Sequence, residues 1–280
     1  MGQTDLSWAV PVMRAGYAGR GIVYLVVAGF SLYAIWWGGQ AKGTSSAFGQ
    51  LEDSAWGTAV LFLIFIGMFA YALWRLVAAL YDLECRGASL KGIGARVGMA
   101  ITGIIHLGLG ALAFSLLFLG SSGESGGSSG PKIVGWVLGL PGGRWIVMGG
   151  GALIFAAGLY YMYKGWAGKY REHLQANPVT LNFNPVLKAG LIAQGIVICI
   201  VGILFINAGF NYNPNEAGGS DKAFSWLTSQ VYGQILVAAI CVGLLGFSLF
   251  CFVNARYRIV PRVSGDDVET MAAKLKAMAQ

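Results

Sequence analysis

Residues 223–255 read AFSWLTSQVYGQILVAAICVGLLGFSLFCFVNA, 33 positions without a charge between Lys222 and Arg256. A helix needs roughly 20 predominantly apolar residues to cross the hydrocarbon core of a bilayer, and the run from Ile235 to Val253 supplies such a length. The pattern does not alternate polar with apolar. In lipid only helices and closed barrels satisfy every backbone group, so this stretch reads as a membrane-spanning helix. Five more windows share its character. The segments between Arg20 and Lys42, Asp53 and Arg75, Arg96 and Glu124, Arg144 and Lys164, and Lys188 and Glu216 hold 21, 21, 27, 19 and 27 uncharged residues. Six transmembrane helices follow. The first is too long for a signal-peptide core and ends on Trp36-Trp37 instead of a small-residue cleavage site, so it is expected to be retained.

Composition agrees with that reading. The chain has 280 residues, 56% hydrophobic and 11% charged, where a soluble domain carries about 25% charged residues. That excludes a disordered chain and a disulfide framework. The net charge of +7 resolves by loop. One side, with both termini and the 81–96 and 164–188 connections, holds 15 basic and 7 acidic residues; the other holds 4 and 5. The positive-inside rule then places both termini in the cytoplasm. The surplus points to anionic lipid on the cytoplasmic side, not to nucleic acid.

The chain also repeats itself three times. Arg14-Ala15-Gly16 with Gly21 returns 82 residues later as Arg96-Val97-Gly98 with Gly103, and 174 residues later as Lys188-Ala189-Gly190 with Gly195. The second halves agree: Ala47-Phe48, Leu51 and Gly67 return 176 residues on as Ala223-Phe224, Leu227 and Gly243. Tyr71, Arg75 and Tyr81 return 89 residues on as Tyr160, Lys164 and Tyr170. Each unit is a helix, an outer loop with a short interfacial segment (about 47–55, 133–140 and 223–230), and a second helix. Units of two spans share one orientation, so the repeats are parallel, and three of them predict a pseudo-threefold bundle. The expected organisation is a cytoplasmic segment 1–13, repeats 14–86, 87–175 and 176–262, and an amphipathic cytoplasmic tail 263–280.

The opening RAGYAGRGIVY (14–24), the motif GMFAYALWR (67–75) and the closing FVNARYR (252–258) resemble the bacterial family catalogued as domain of unknown function 1206. The resemblance covers about 12–262 and implies a bacterial inner-membrane protein, without implying an activity. The middle repeat departs most, with His106 where the first has Tyr24 and a Gly/Ser-rich outer loop at 120–130.

Few residues offer chemistry. Arg14, Arg96 and Lys188 are expected at one depth near the cytoplasmic starts of spans one, three and five, with Arg75 and Lys164 as a second pair. They serve topology and snorkelling to lipid phosphates, or together form an anion site. His106 lies inside span three, where an ionisable residue is a candidate intramembrane polar site. Gln194, Asn207 and Gln234 read as interhelical hydrogen-bond partners, and the repeated glycines as places of close helix approach. Cys85, Cys199, Cys241 and Cys251 show no metal spacing, and no nucleotide motif or catalytic set is present. In the tail, Ser264 and Asp267 form a capping pair before Val268, Met271, Leu275 and Met278 at helical spacing.

The sequence therefore predicts a non-enzymatic inner-membrane protein without a cofactor. An accessory or scaffolding subunit that packs against lipid and another membrane complex is the first expectation. A small-solute channel or transporter along the pseudo-threefold axis is the alternative.

Overall fold

A computed structural model of the protein describes residues 6–52, 54, 56–119, 129–263 and 269–278. The linker at 120–128 and the capping pair Ser264 and Asp267 lie outside the described residues. In chain order the helices are α1 (Ala9–Trp36), α2 (Thr44–Glu52), α3 (Gly57–Tyr81), α4 (Leu90–Phe118), α5 (Ser129–Leu138), α6 (Gly143–Trp166), α7 (Pro178–Asn182), α8 (Asn184–Phe210), α9 (Ser220–Thr228), α10 (Gly233–Tyr257) and α11 (Met271–Met278). Six of them, α1, α3, α4, α6, α8 and α10, are long and apolar enough to cross a membrane. The short α2, α5 and α9 begin a few residues before the three expected interfacial segments.

The spans pack in a row: α4 on α3, α3 on α1, α1 on α10, α10 on α8, and α8 on α6. The two spans of the first repeat are neighbours, and so are those of the third. The two spans of the middle repeat, α4 and α6, stand at opposite ends of the row and share no packed interface. They also bury least, 22% and 17% of their apolar windows against 39% to 50% for the others. A pseudo-threefold bundle would pair the helices of every repeat alike; here the middle pair is open.

Glycines set the close approaches, because thin surfaces let helices meet where lipid and partner are equally apolar. On α6, Gly151, Gly158 and Gly165 recur every seven residues, as do Gly195, Gly202 and Gly209 on α8. A seven-residue step keeps them on one face. A Cβ on Gly158 would lie 2.6 Å from Cys199 Sγ, and one on Gly202 would lie 2.6 Å from the Phe155 backbone nitrogen. In the first repeat Gly19 of α1 meets Gly67 of α3, and a Cβ on Gly16 would lie 2.5 Å from Tyr71 Cα.

At one end of the bundle α2 and α9 join the first and third repeats. The Asp221 carboxylate of α9 accepts from the Ser45 and Ser46 backbone N–H groups at 3.0 Å each, capping α2. At the other end, called here the basic end, the turn after α3 is held by Asp82, which accepts from Arg86 and Gly87 N–H at 2.8 Å each. Asp82 itself is left-handed at φ 49°, a conformation its short polar side chain tolerates. The tail folds back onto this end. Met271 N–H donates to Leu174 O at 2.8 Å, and the Met271 side chain is fully buried.

Candidate functional site

Arg20 is twelve residues into α1, about 17 Å from its start at ~1.5 Å per residue. Charge position alone makes it the cytoplasmic boundary of the first span; the structure instead puts it inside the bundle, 4% exposed. Its Nη1 donates to the Tyr71 hydroxyl at 2.9 Å. The guanidinium lies 5.1 Å from the Tyr71 ring centre, 5.0 Å from that of Phe247 and 5.7 Å from that of Tyr24. The Tyr161 hydroxyl of α6 lies beside it, and Nε has no partner. Among the described residues no carboxylate comes within 4.0 Å of Arg20. Each aromatic face attracts a desolvated cation by ~2 kcal/mol, so the three rings offset much of the several kcal/mol that desolvation costs but bring no counter-charge.

Toward the basic end the cations continue. Arg75 of α3 stacks 5.6 Å from the Tyr71 ring centre, and Arg258, just after α10, lies 5.4 Å from that of Tyr17. One carboxylate serves them. Glu84, 7% exposed, approaches Arg258 at 2.6 Å, Arg86 at 2.8 Å and Arg75 at 3.7 Å. Lys164 of α6 lies within electrostatic reach of Glu84. Arg258 also donates to Asn254 Oδ1 at 3.0 Å. Among the described residues four cations thus surround a single anion, with Arg20 deeper still. Burial opposes the ionisation of Glu84, but Arg258 and Arg75, with the hydrogen bond from Arg86, hold its carboxyl well below the usual carboxylate range. Burial, and then the charge of Arg258, push His173 down to about 3. Its Nε2 lies 3.4 Å from Arg86 Nη2, where a neutral imidazole accepts.

The structure separates the residues singled out from the sequence. Arg14 is exposed. Arg96 donates to the Ala79 and Leu80 carbonyls at 2.7 and 3.0 Å, occupying acceptors left open at the end of α3. Lys188 sits 4.4 Å from the Trp166 ring centre. These three are not brought together, whereas Arg75 and Lys164 both face Glu84. His106 is buried, its Nδ1 donating to the Thr102 carbonyl at 2.7 Å and its ring 4.6 Å from that of Tyr71. Gln194 donates to the Tyr24 hydroxyl at 2.8 Å, joining α8 to α1; Asn207 and Gln234 are exposed. Among the described residues no three His, Cys, Asp or Glu side chains gather as a metal site would need.

The residues that charge position and motif spacing miss are Arg20, Glu84 and Arg258. A signal for Arg20 exists in the repeat register: shifts of 82 and 174 carry it onto Thr102 and Gln194, so each odd-numbered span holds a polar residue at this level.

A family model described as Domain of Unknown Function (DUF1206) matches the chain three times, at 15–82, 97–168 and 189–258. The chain belongs to this family. All three DUF1206 units contribute to the cluster of buried cations and aromatic rings, called here the chamber: Arg20, Tyr71 and Arg75 from the first, Tyr161 and Lys164 from the second, Phe247 and Arg258 from the third. The chain is also similar to "Uncharacterized protein YxxB" of Bacillus subtilis (strain 168). The two are 24% identical over 262 residues, which is 91% of this chain and 94% of that protein. No solved structure matches the chain.

Proposed function

We propose that this multi-pass DUF1206 protein is a non-enzymatic protein of the bacterial cytoplasmic membrane that binds an anionic group inside its helix bundle, with both termini in the cytoplasm. The observation that carries the reading is Arg20, a buried guanidinium with aromatic neighbours, an unpartnered Nε and no carboxylate within 4.0 Å among the described residues. An uncompensated charge inside a membrane protein is expensive, and such residues mark sites of function. Among the described residues Arg75, Lys164 and Arg258 share one carboxylate, so a phosphate or carboxylate entering from the basic end meets an excess of positive charge. This narrows the solute-passage alternative to anions and gives the bundle a ligand.

Thermal unfolding of the purified full chain tests it. In a zwitterionic buffer of low ionic strength, inorganic phosphate at a hundredfold excess over its Kd adds about 2.7 kcal/mol, a rise in Tm of about 5 °C for a chain of this size. Arg20→Gln removes the rise, and by removing an uncompensated buried charge it does not lower the Tm of the phosphate-free protein. Equal rises in both proteins, or none in the native one, overturn the reading.

The exposed apolar faces of α4 and α6, with Ile104 62% and Leu153 73% exposed, favour the accessory-subunit reading as a second possibility. Its test is gentle extraction from native membranes, where a stoichiometric membrane-protein partner supports it and recovery of the chain alone refutes it.

A further inference from the structure

Corresponding helix crossings in the three repeats do not match. In the first, Gly16 and Gly19 of α1 close against Tyr71 and Gly67 of α3. In the third, Gly190 and Ala193 of α8 close against Phe247 and Gly243 of α10. The equivalent positions in the middle repeat are Gly98 and Ile101 of α4 and Tyr160 and Ala156 of α6. A Cβ on Gly98 would meet nothing within 4 Å; Ile101 is 51% and Tyr160 53% exposed, and Ala156 is exposed. The surfaces that make a helix pair in the other repeats are present here without each other.

This opening adjoins the cationic chamber. On the α6 side the residue after Tyr160 is Tyr161, whose hydroxyl lies beside Arg20. On the α4 side His106 packs against Tyr71, which holds Arg20 from the other face. Lys164, one turn beyond Tyr160, lies two residues from the basic end of α6. Arg75 is six residues from the same end of α3, and Arg20 lies deeper. Two unpartnered apolar faces, one on α4 and one on α6, thus flank buried cations that, among the described residues, share one carboxylate.

We propose that these faces of α4 and α6 bind one anionic phospholipid, its phosphate among Lys164, Arg75 and Arg20 and its acyl chains along Gly98, Ile101 and Ala156. This deepens the anion-binding reading and rests on it. Charge complementarity selects the head, and the unfilled repeat interface accommodates the tails. A free anion has no use for the apolar half of this surface, and a zwitterionic lipid has no net charge to offset the chamber.

The test is native mass spectrometry of the full chain, delipidated and then exchanged into mixed micelles with equal phosphatidylglycerol and phosphatidylcholine. The native protein is expected to retain one phosphatidylglycerol in at least tenfold preference. Gly98→Trp and Ala156→Trp place bulk where the structure has open or exposed space, and each is expected to reduce that retention about tenfold. The Tm rise with inorganic phosphate survives in both, showing that fold and chamber are intact. Equal retention of the two lipids, unchanged retention in both variants, or a membrane protein cross-linked from position 98 in place of lipid overturns the proposal. If phosphate gives no Tm rise in the native protein, the anion-binding reading itself fails and this proposal fails with it. Loss of lipid preference alone leaves that reading standing.

Discussion

Glu84 Oε1 and Arg258 Nη2 meet at 2.6 Å across 174 residues of chain, joining the end of the first repeat to the end of the third. The pair is buried on both sides, at 4% and 5% side-chain exposure, so solvent screens it little. Removing one partner of a buried ion pair typically costs about 3–5 kcal/mol, because the other charge stays behind. Glu84→Gln is therefore expected to lower the Tm of the phosphate-free protein markedly. It takes from Arg75, Arg86 and Arg258 the carboxylate they share among the described residues, so the rise in Tm on adding phosphate becomes larger than in the native chain. A variant whose phosphate response is smaller would show that Glu84 organises the cations more than it competes for them.

His173 gives the basic end a pH dependence with a definite sign. Its folded-state value is held down to about 3 from the ordinary 6.5, so the unfolded chain binds a proton that the folded one refuses. Stability is then full above pH 6.5 and declines as pH falls toward 3, with a limiting slope of about 1.4 kcal/mol per pH unit for one proton. Glu84, held low in the fold, adds loss of the same sign once pH falls into the ordinary carboxylate range. Between pH 6.5 and 5 the decline belongs to the two histidines, and because His106 is buried as well, the share of His173 is the part that its substitution removes. His173→Gln is expected to flatten the Tm profile in that interval and leave the steeper acid limb in place.

Two glycines in the same repeat are expected to respond in opposite ways to the same substitution. Gly158 sits in the α6–α8 contact, where a Cβ would lie 2.6 Å from Cys199 Sγ and 2.8 Å from Gly195 O. Gly158→Val forces backbones apart, and overpacking of this kind costs about 1–3 kcal/mol or more. Gly98 of α4 has open space around it, so Gly98→Val is expected to leave stability within about 0.5 kcal/mol of native, the range of substitutions away from packed features. Thermal melts in detergent compare the two directly.

The six spans and three repeats are legible because lipid makes severe demands: an uncharged, apolar window of about 20 residues is what a span requires, and a register shared by three units is hard to reach by chance. The order of packing is not legible. Gly16, Gly98 and Gly190 are equivalent in sequence, yet two are buried in helix crossings and one is bare, because a glycine permits close approach without choosing a partner. Arg20 misleads for a physical reason. An arginine near the start of an apolar run is normally a boundary residue that snorkels, and only tertiary structure shows Tyr24, Tyr71 and Phe247 arranged around it. Glu84 is hidden in a connecting loop, since nothing in its local sequence indicates that Arg258 folds onto it.

Cys85 offers a way to test which face of the membrane carries the basic end. It is the exposed cysteine of the chain, whereas Cys199, Cys241 and Cys251 are buried. It lies in the turn after α3, next to the Glu84 cluster, so its side of the membrane is the side of the whole cationic cluster. A membrane-impermeant maleimide is expected to label the protein in inside-out vesicles and not in intact spheroplasts, with Cys85→Ser abolishing the signal. Labelling in spheroplasts instead would reverse the orientation read from the basic surplus of the loops. It would also put the basic end, with Lys164 and Arg75, on the outer face, so that an anion from solution would reach Arg20 from outside the cell and a bound lipid would come from the outer leaflet.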